Sequence, residues 1–261
     1  MLSYQHAYHA GGPADLLKHA ALAGLVEMMT RKARGLTYAE THAGRGLYDL
    51  SGPEAARTGE AAAGIGRIRP AGALGAVLAA IRAAHGPHAY PGSPMIARRL
   101  LRPQDRMILF ELHPAEHAAL SAVMGSGAEI HRRDGFEGLL ALAPPRPRAG
   151  LVLVDPSYEV KAEYAATARF VLRLLGRWPQ AAVLVWYPIL RAGRHAELLA
   201  GLARLGPLRV EAAFDLKGGA GMLGAGLVLA NAPHGAGRVL RAALAAGAPV
   251  LRPMPGTPAP A

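Results

Sequence analysis

Residues 151–160 read LVLVDPSYEV, four apolar residues running straight into Asp155, Pro156, Ser157 and Tyr158. A strand that ends on a carboxylate, a proline and an aromatic ring has the parts to handle a planar amine. The lone pair of such an amine is delocalised into its ring, so attack on a sulfonium methyl requires it to pyramidalise. A carboxylate accepting one N–H and a main-chain carbonyl accepting the other favour that change. Asp155 and the Pro156 carbonyl suit those roles, and Tyr158 offers a face for a base to stack on, worth roughly 1–3 kcal/mol. The carboxylate orients the amine and takes its proton late, so a full general base is not required. The rest of the transfer is positioning.

Three other short motifs belong beside it: Thr41-His42-Ala43-Gly44-Arg45-Gly46, Glu111-Leu112-His113 and Asp134-Gly135. Gly44 and Gly46 let backbone approach a ligand closely. Glu111 suits a ribose diol, because a carboxylate accepts from both hydroxyls. Asp134 suits the exocyclic amine of adenine, with Gly135 leaving room for the ring. A glycine turn, then Glu, then Asp, then Asp-Pro-x-aromatic is a layout for S-adenosylmethionine. Taken singly, each has a plainer reading: a chance G-x-G among 32 glycines, a surface acid, an Asp-Gly turn. The run GRGLYDL lacks the third glycine of G-x-G-x-x-G, which counts against a nicotinamide-dependent oxidoreductase, and no Walker A run occurs.

These motifs need strands and helices to place them. Residues 13–32 predict a helix with Pro13 in its first turn and a basic end. Residues 36–46 predict a strand entering a glycine turn. Residues 50–90 are Ala-rich with helical spacing, a candidate helical insertion. Residues 93–102 predict a helix with Ser93 as N-cap and Pro94 at its first position. Strands at 106–113, 128–134, 150–158, 181–188, 208–216 and 224–233 then alternate with helices at 114–124, 136–143, 163–178 and 195–205. This alternation implies a doubly wound, mainly parallel sheet with helices on both faces. The last two strands have no helix between them, so one edge is expected to be antiparallel. In such sheets, ligands sit at the carboxyl ends of the strands, where all four motifs lie. Asn231-Ala232-Pro233, lacking the aromatic, reads as a turn, and residues 249–261 as a frayed Pro-rich tail.

At 261 residues and 51% hydrophobic, the chain is read as one domain with a full core. The absence of Cys removes disulfides and thiolate chemistry and fits a reducing, cytoplasmic location. The start MLSYQHAYHAGG lacks a signal-peptide pattern, and no apolar run is long enough for a membrane span. Net charge of +11 favours a polyanion, nucleic acid foremost, although an Arg-, Ala-, Gly- and Pro-rich composition also follows from a GC-rich genome. Arg98, Arg99, Arg102, Arg132 and Arg133 are candidate phosphate contacts. Histidines are numerous, but no pair has a metal-ligand spacing beside a carboxylate, so no metal is expected. No G-x-S-x-G elbow follows a strand. With no long apolar stripe, a monomer is expected.

The segments MLSYQHAYHAGGPADLLKHA, YAETHAGRGLYDL, RTGEAAAGI, YPGSPMIARRLL, ELHP, DGF and LVDPSYE together resemble the J-type bacterial large-subunit ribosomal RNA adenine-N6 methyltransferases over nearly the whole chain. Asp-Pro-Ser-Tyr resembles the D/N-P-P-Y/F signature of amino methyltransferases, with Ser157 in place of the second proline. Gly12-Pro13 likewise replaces the family's Asn-His. The resemblance implies a Rossmann-like class I S-adenosylmethionine-dependent fold with a small inserted helical subdomain. It implies N6-methylation of one adenine in 23S rRNA, acting on free RNA or an early large-subunit intermediate. It places the catalytic carboxylate on Asp155 and cofactor contacts on Lys18, His19, His42, Ser93, Glu111, Asp134 and Gly135, with Tyr4, His6 and Lys18 near the active site. By residue type alone, Lys18, one of four lysines, is either a site ammonium or a solvated helix lysine. Methylation of DNA adenine or protein glutamine uses the same signature, and a non-catalytic RNA-binding protein could share the fold.

Overall fold

Strand β1 (Thr37–Glu40) has every side chain buried, and it lies in the interior of an eight-stranded sheet. A computed structural model of the chain describes residues 5–216, 221–255 and 257. Before β1 comes helix α1 (Pro13–Thr30), opened by Gly12 as N-cap and by Pro13, whose missing N–H costs nothing in a first turn. After β1, strands β2 (Leu47–Asp49) and β3 (Ala89–Pro91) pair antiparallel, Tyr48 opposite Tyr90. Between them run α2 (Pro53–Thr58), α3 (Glu60–Ala63) and α4 (Gly72–His85).

The remaining elements alternate. They are α5 (Ser93–Leu100), β4 (Arg106–Phe110), α6 (Pro114–Met124), β5 (Glu129–His131), α7 (Gly135–Leu142), β6 (Gly150–Val154), α8 (Glu163–Arg177), β7 (Ala181–Leu190), α9 (His195–Leu202) and β8 (Leu208–Ala213). Then come β9 (Met222–Ala230), α10 (Ala236–Ala246) and β10 (Arg252–Pro253). The large sheet has the order β10-β8-β9-β7-β6-β1-β4-β5. β1 pairs in parallel with β4 on one side and β6 on the other. The chain builds outward from β1 through β4 to β5, then returns to β6. The β1–β6 border is therefore the topological switch point, where a crevice opens at the strands' carboxyl ends. β6 is buried at all five positions, as expected for a parallel strand covered on both faces. Gly150 opens it because a Cβ there would stand 2.1 Å from the buried Trp178 ring, whose Nε1 donates to the Arg148 carbonyl at 2.6 Å.

One edge is antiparallel, as expected: β9 lies between β7 and β8 and is antiparallel to both, and β10 at the edge is antiparallel to β8. One element is missing from the sequence reading and one expectation is corrected. Helix α10 was not foreseen; it packs on α1, with Val239 so close to Gly24 that a Cβ there would be 2.6 Å away. The tail is not frayed throughout. Val250 and Leu251 are buried, and β10 pairs with β8, where Arg252 also meets Asp215 at 3.0 Å. Asn231 does serve a turn: at φ +52° its amide donates to the carbonyls of Pro179 and Ala181.

Candidate active site

At the end of β1 the chain turns through Gly44 and Gly46, both with positive φ. The Gly44 N–H donates to Glu111 Oε2 and the His113 N–H to Glu111 Oε1, each at 2.8 Å. Two backbone donors thus set the carboxylate's plane, while each oxygen keeps a lone pair for a ligand. Burial pushes the Glu111 pKa up, partly offset by those two bonds. Asp134 is the N-cap of α7, accepting from the Glu137 N–H at 2.9 Å, and its side chain stays exposed. A Cβ on Gly135 would stand 2.0 Å from the Thr41 carbonyl, so only glycine lets α7 begin so near the β1 turn. His42 Nδ1 meets Thr41 Oγ1 at 2.8 Å, and burial pushes its pKa down to about 4.

Ser93 is not the cap of its helix. Gly92 is the N-cap and Ser93 the first helical residue, because the Ser93 hydroxyl donates instead to Glu40 Oε2 at 2.7 Å. Tyr38 donates to the other oxygen at 2.5 Å. Glu40 is fully buried, and burial raises its pKa to about 8.

The other half of the site is built from β6 and α1. Lys18 is buried rather than solvated. Its Nζ lies 2.6 Å from Asp155 Oδ2 and 3.0 Å from Asp15 Oδ1. Burial opposes its charge, but Asp15 and Asp155 outweigh that and hold the ammonium well above its ordinary pKa. Asp15 Oδ2 meets His6 Nε2 at 3.0 Å and accepts from the Gly11 N–H at 2.9 Å. Burial would raise the Asp15 pKa, but His6, Lys18 and His19 together hold it well below the usual carboxylate range. His19 Nδ1 pairs with the Tyr90 hydroxyl at 2.9 Å, and burial pushes its pKa down to about 3. Tyr4 lies outside the described residues.

Both halves border one cavity of about 260 Å³. His6, Lys18, His19, His42, Gly44 and Ser93 line it, as do Glu111, Asp134, Gly135, Asp155 and Pro156. Tyr158 does not line the cavity. Its ring is buried, stacked on Tyr164 at 4.4 Å, with its hydroxyl donating to the Trp186 carbonyl at 2.9 Å. It reaches that place at φ +56°, and Ser157, Glu159 and Val160 border the opening instead. The expected stacking face is thus turned inward in this conformation.

The arginines separate into two groups. Arg98, Arg99, Arg132 and Arg133 are exposed, the last two beside Asp134. Arg102 is committed elsewhere: it chelates Asp105 and donates to the carbonyls of Lys32 and Arg34 at 2.6 and 2.9 Å. It closes the turn before β4 and has little left for a phosphate. Residue reasoning also missed Asp15 and Glu40. The i,i+3 spacing of Asp15 and Lys18 was the available signal for the first; Glu40 had none beyond a carboxylate at a buried strand end. Among the described residues, no three His, Cys, Asp or Glu are grouped to hold a metal, and no helix is long and apolar enough to cross a membrane.

The model of the family described as ribosomal RNA large subunit methyltransferase D, RlmJ, matches residues 33–256. The chain belongs to this family. Two relatives, each named ribosomal RNA large subunit methyltransferase J, come from Escherichia coli strain K12 and Haemophilus influenzae. They are 36% and 35% identical over 246 and 250 residues, covering 89% of this chain and 88% of each relative. A solved structure, protein LPL1258 of Legionella pneumophila, superposes with a TM-score of 0.81 at 30% identity, over 94% of this chain and 97% of that one. A probable spermidine synthase from Corynebacterium glutamicum, at TM-score 0.51 and 14% identity, shares the fold alone. With its strand order and this family membership, the chain has a Rossmann-like class I methyltransferase fold.

Proposed function

We propose that this protein transfers a methyl group from S-adenosylmethionine to N6 of a specific adenine in 23S rRNA, acting on free RNA or an early large-subunit intermediate in the cytoplasm. The observation that supports it most is the Lys18–Asp155 pair at the end of β6, set beside Glu111 and Asp134 in one cavity. The half around β1, β4 and β5 fits the donor. Its close backbone approach at Gly135, its preset Glu111 carboxylate and its exposed Asp134 match a ribose and an adenine amine. When bound, S-adenosylmethionine supplies an electrophilic methyl.

The chain's own residues do the rest. Lys18 occupies Asp155 Oδ2, which leaves Oδ1 to accept an N–H of the target amine. The Pro156 carbonyl is proposed to accept the second N–H and so favour a pyramidal nitrogen. The target base must leave its stack to reach this depth. His42, neutral through burial, borders the cavity without adding a second cation beside Lys18. The chain acts as a monomer and a single domain, with residues 50–90 as an insertion beside the site.

The test is transfer of labelled methyl to protein-free 23S rRNA, followed by nucleoside analysis. The expected product is N6-methyladenosine with the wild type and none with Asp155→Ala. No transfer to RNA with cofactor binding intact would overturn the RNA reading and turn attention to DNA adenine or protein glutamine.

A further inference from the structure

We propose that Asp15 is a positioning residue that links the amino-terminal arm, residues 5–12, to the catalytic carboxylate. Its Oδ2 holds the arm and its Oδ1 holds the Lys18 ammonium that in turn grips Asp155. An acid in the first turn of a helix ordinarily complements the helix dipole from the surface. Asp15 is only 2% exposed, and both its oxygens are engaged by groups from different segments. Oδ2 receives the Gly11 N–H at 2.9 Å and His6 Nε2 at 3.0 Å, both from the arm. Oδ1 receives Lys18 Nζ at 3.0 Å, and His19 Nε2 stands 3.8 Å away. Gly11 adopts φ +73°, a glycine conformation that aims its N–H into this carboxylate.

The charge balance makes the linkage strong. Lys18 is shared by two carboxylates, and its side chain is only 5% exposed. If the arm lifts, Asp15 loses two donors at once, and its remaining demand falls on Lys18. The ammonium then shifts toward Asp15 and loosens its hold on Asp155. Arm docking and the aim of the Asp155 carboxylate become one event.

The chain has four lysines, Lys18, Lys32, Lys161 and Lys217, so 15N-labelled ammonium signals are few enough to assign. Asp15→Asn is expected to move the Lys18 signal, speed amide exchange over residues 5–12 and lower kcat about 100-fold, the scale of a roughly 1 Å misplacement. Asp15→Glu, which keeps the charge, should recover part of the rate. His6→Ala is the second probe, in case Asp15→Asn folds poorly. It should move the Lys18 signal in the same direction by less. A Lys18 signal unmoved in His6→Ala, or wild-type kcat in Asp15→Asn, would overturn the linkage. The kinetic arm rests on the methyltransferase reading. A wild-type protein that methylates no RNA, with the His6-to-Lys18 response intact, would stand with the linkage and against that reading.

Discussion

The two sides of the cavity solve different problems. On the proposed donor side, Glu111 and Asp134 stand at strand ends, held by backbone N–H groups and partly open to solvent. On the proposed acceptor side, Asp155, Lys18 and Asp15 form a run of alternating charge, with Lys18 and Asp15 buried and Asp155 partly so. A ligand that must be recognised and released is met by polar groups whose desolvation is already half complete. On the proposed reading, the carboxylate that aims at the target nitrogen is held by a buried ammonium. Burying such a run is costly unless every member is paired, so the acceptor side is the more brittle of the two.

That contrast can be broken from either side. Asp155→Ala should lower transfer about 1,000-fold or more and leave the S-adenosylmethionine Kd within a few-fold; strong loss of cofactor binding would mean that the sides are not separate. Lys18→Gln should cost about 3 kcal/mol of stability by leaving the buried Asp15 and the partly buried Asp155 short of a cation, read as a lower urea midpoint, along with a large fall in kcat. Glu111→Gln should weaken cofactor binding about tenfold, the loss of roughly 1.4 kcal/mol expected for a charged hydrogen-bond acceptor, with kcat at saturation little changed. A kcat defect there would erase the distinction.

Acid sharpens the comparison further. His19 is held neutral by burial, with its pKa pushed from 6.5 to about 3. The unfolded chain binds a proton at this residue below 6.5 that the folded chain refuses. Stability should therefore be full above that pH and fall as pH drops toward 3. His19→Asn should flatten this acid limb of the urea midpoint; an unchanged slope would place the acid sensitivity elsewhere. The smallest effect is at the rim. Replacing Arg132 and Arg133 with Gln should reduce the salt dependence of RNA binding by about one to two phosphate contacts. Arg102→Gln should instead lower stability and leave the salt slope alone, since its donors are spent on Asp105 and on two carbonyls.

The alternation of strands and helices was legible because buried parallel strands read as apolar runs and their turns as glycine or proline clusters. β10 and α10 were not. β10 is only two residues long, and α10 begins at a Gly235 in positive φ with no side-chain cap, so neither announces itself locally. By type and position Ser93 reads as both a site residue and a helix cap, and the structure keeps only the first. Residue type allows both roles, and the buried Glu40 acceptor that decides between them lies 53 positions away.

The residues at the ends of β1, β4, β5 and β6 were set by the sequence alone, because strand periodicity and parallel topology force those turns onto one rim. The tertiary structure decided which of them meet. Lys18 and Asp155 are 137 positions apart, and no local pattern couples them. Only the packing of α1 across the sheet puts one ammonium between two carboxylates. Packing likewise turned the Tyr158 ring inward, where Tyr164 and the Trp186 carbonyl hold it. Local sequence specifies which groups are available; long-range burial specifies their partners, because a buried charge or hydroxyl takes whatever the fold brings within reach.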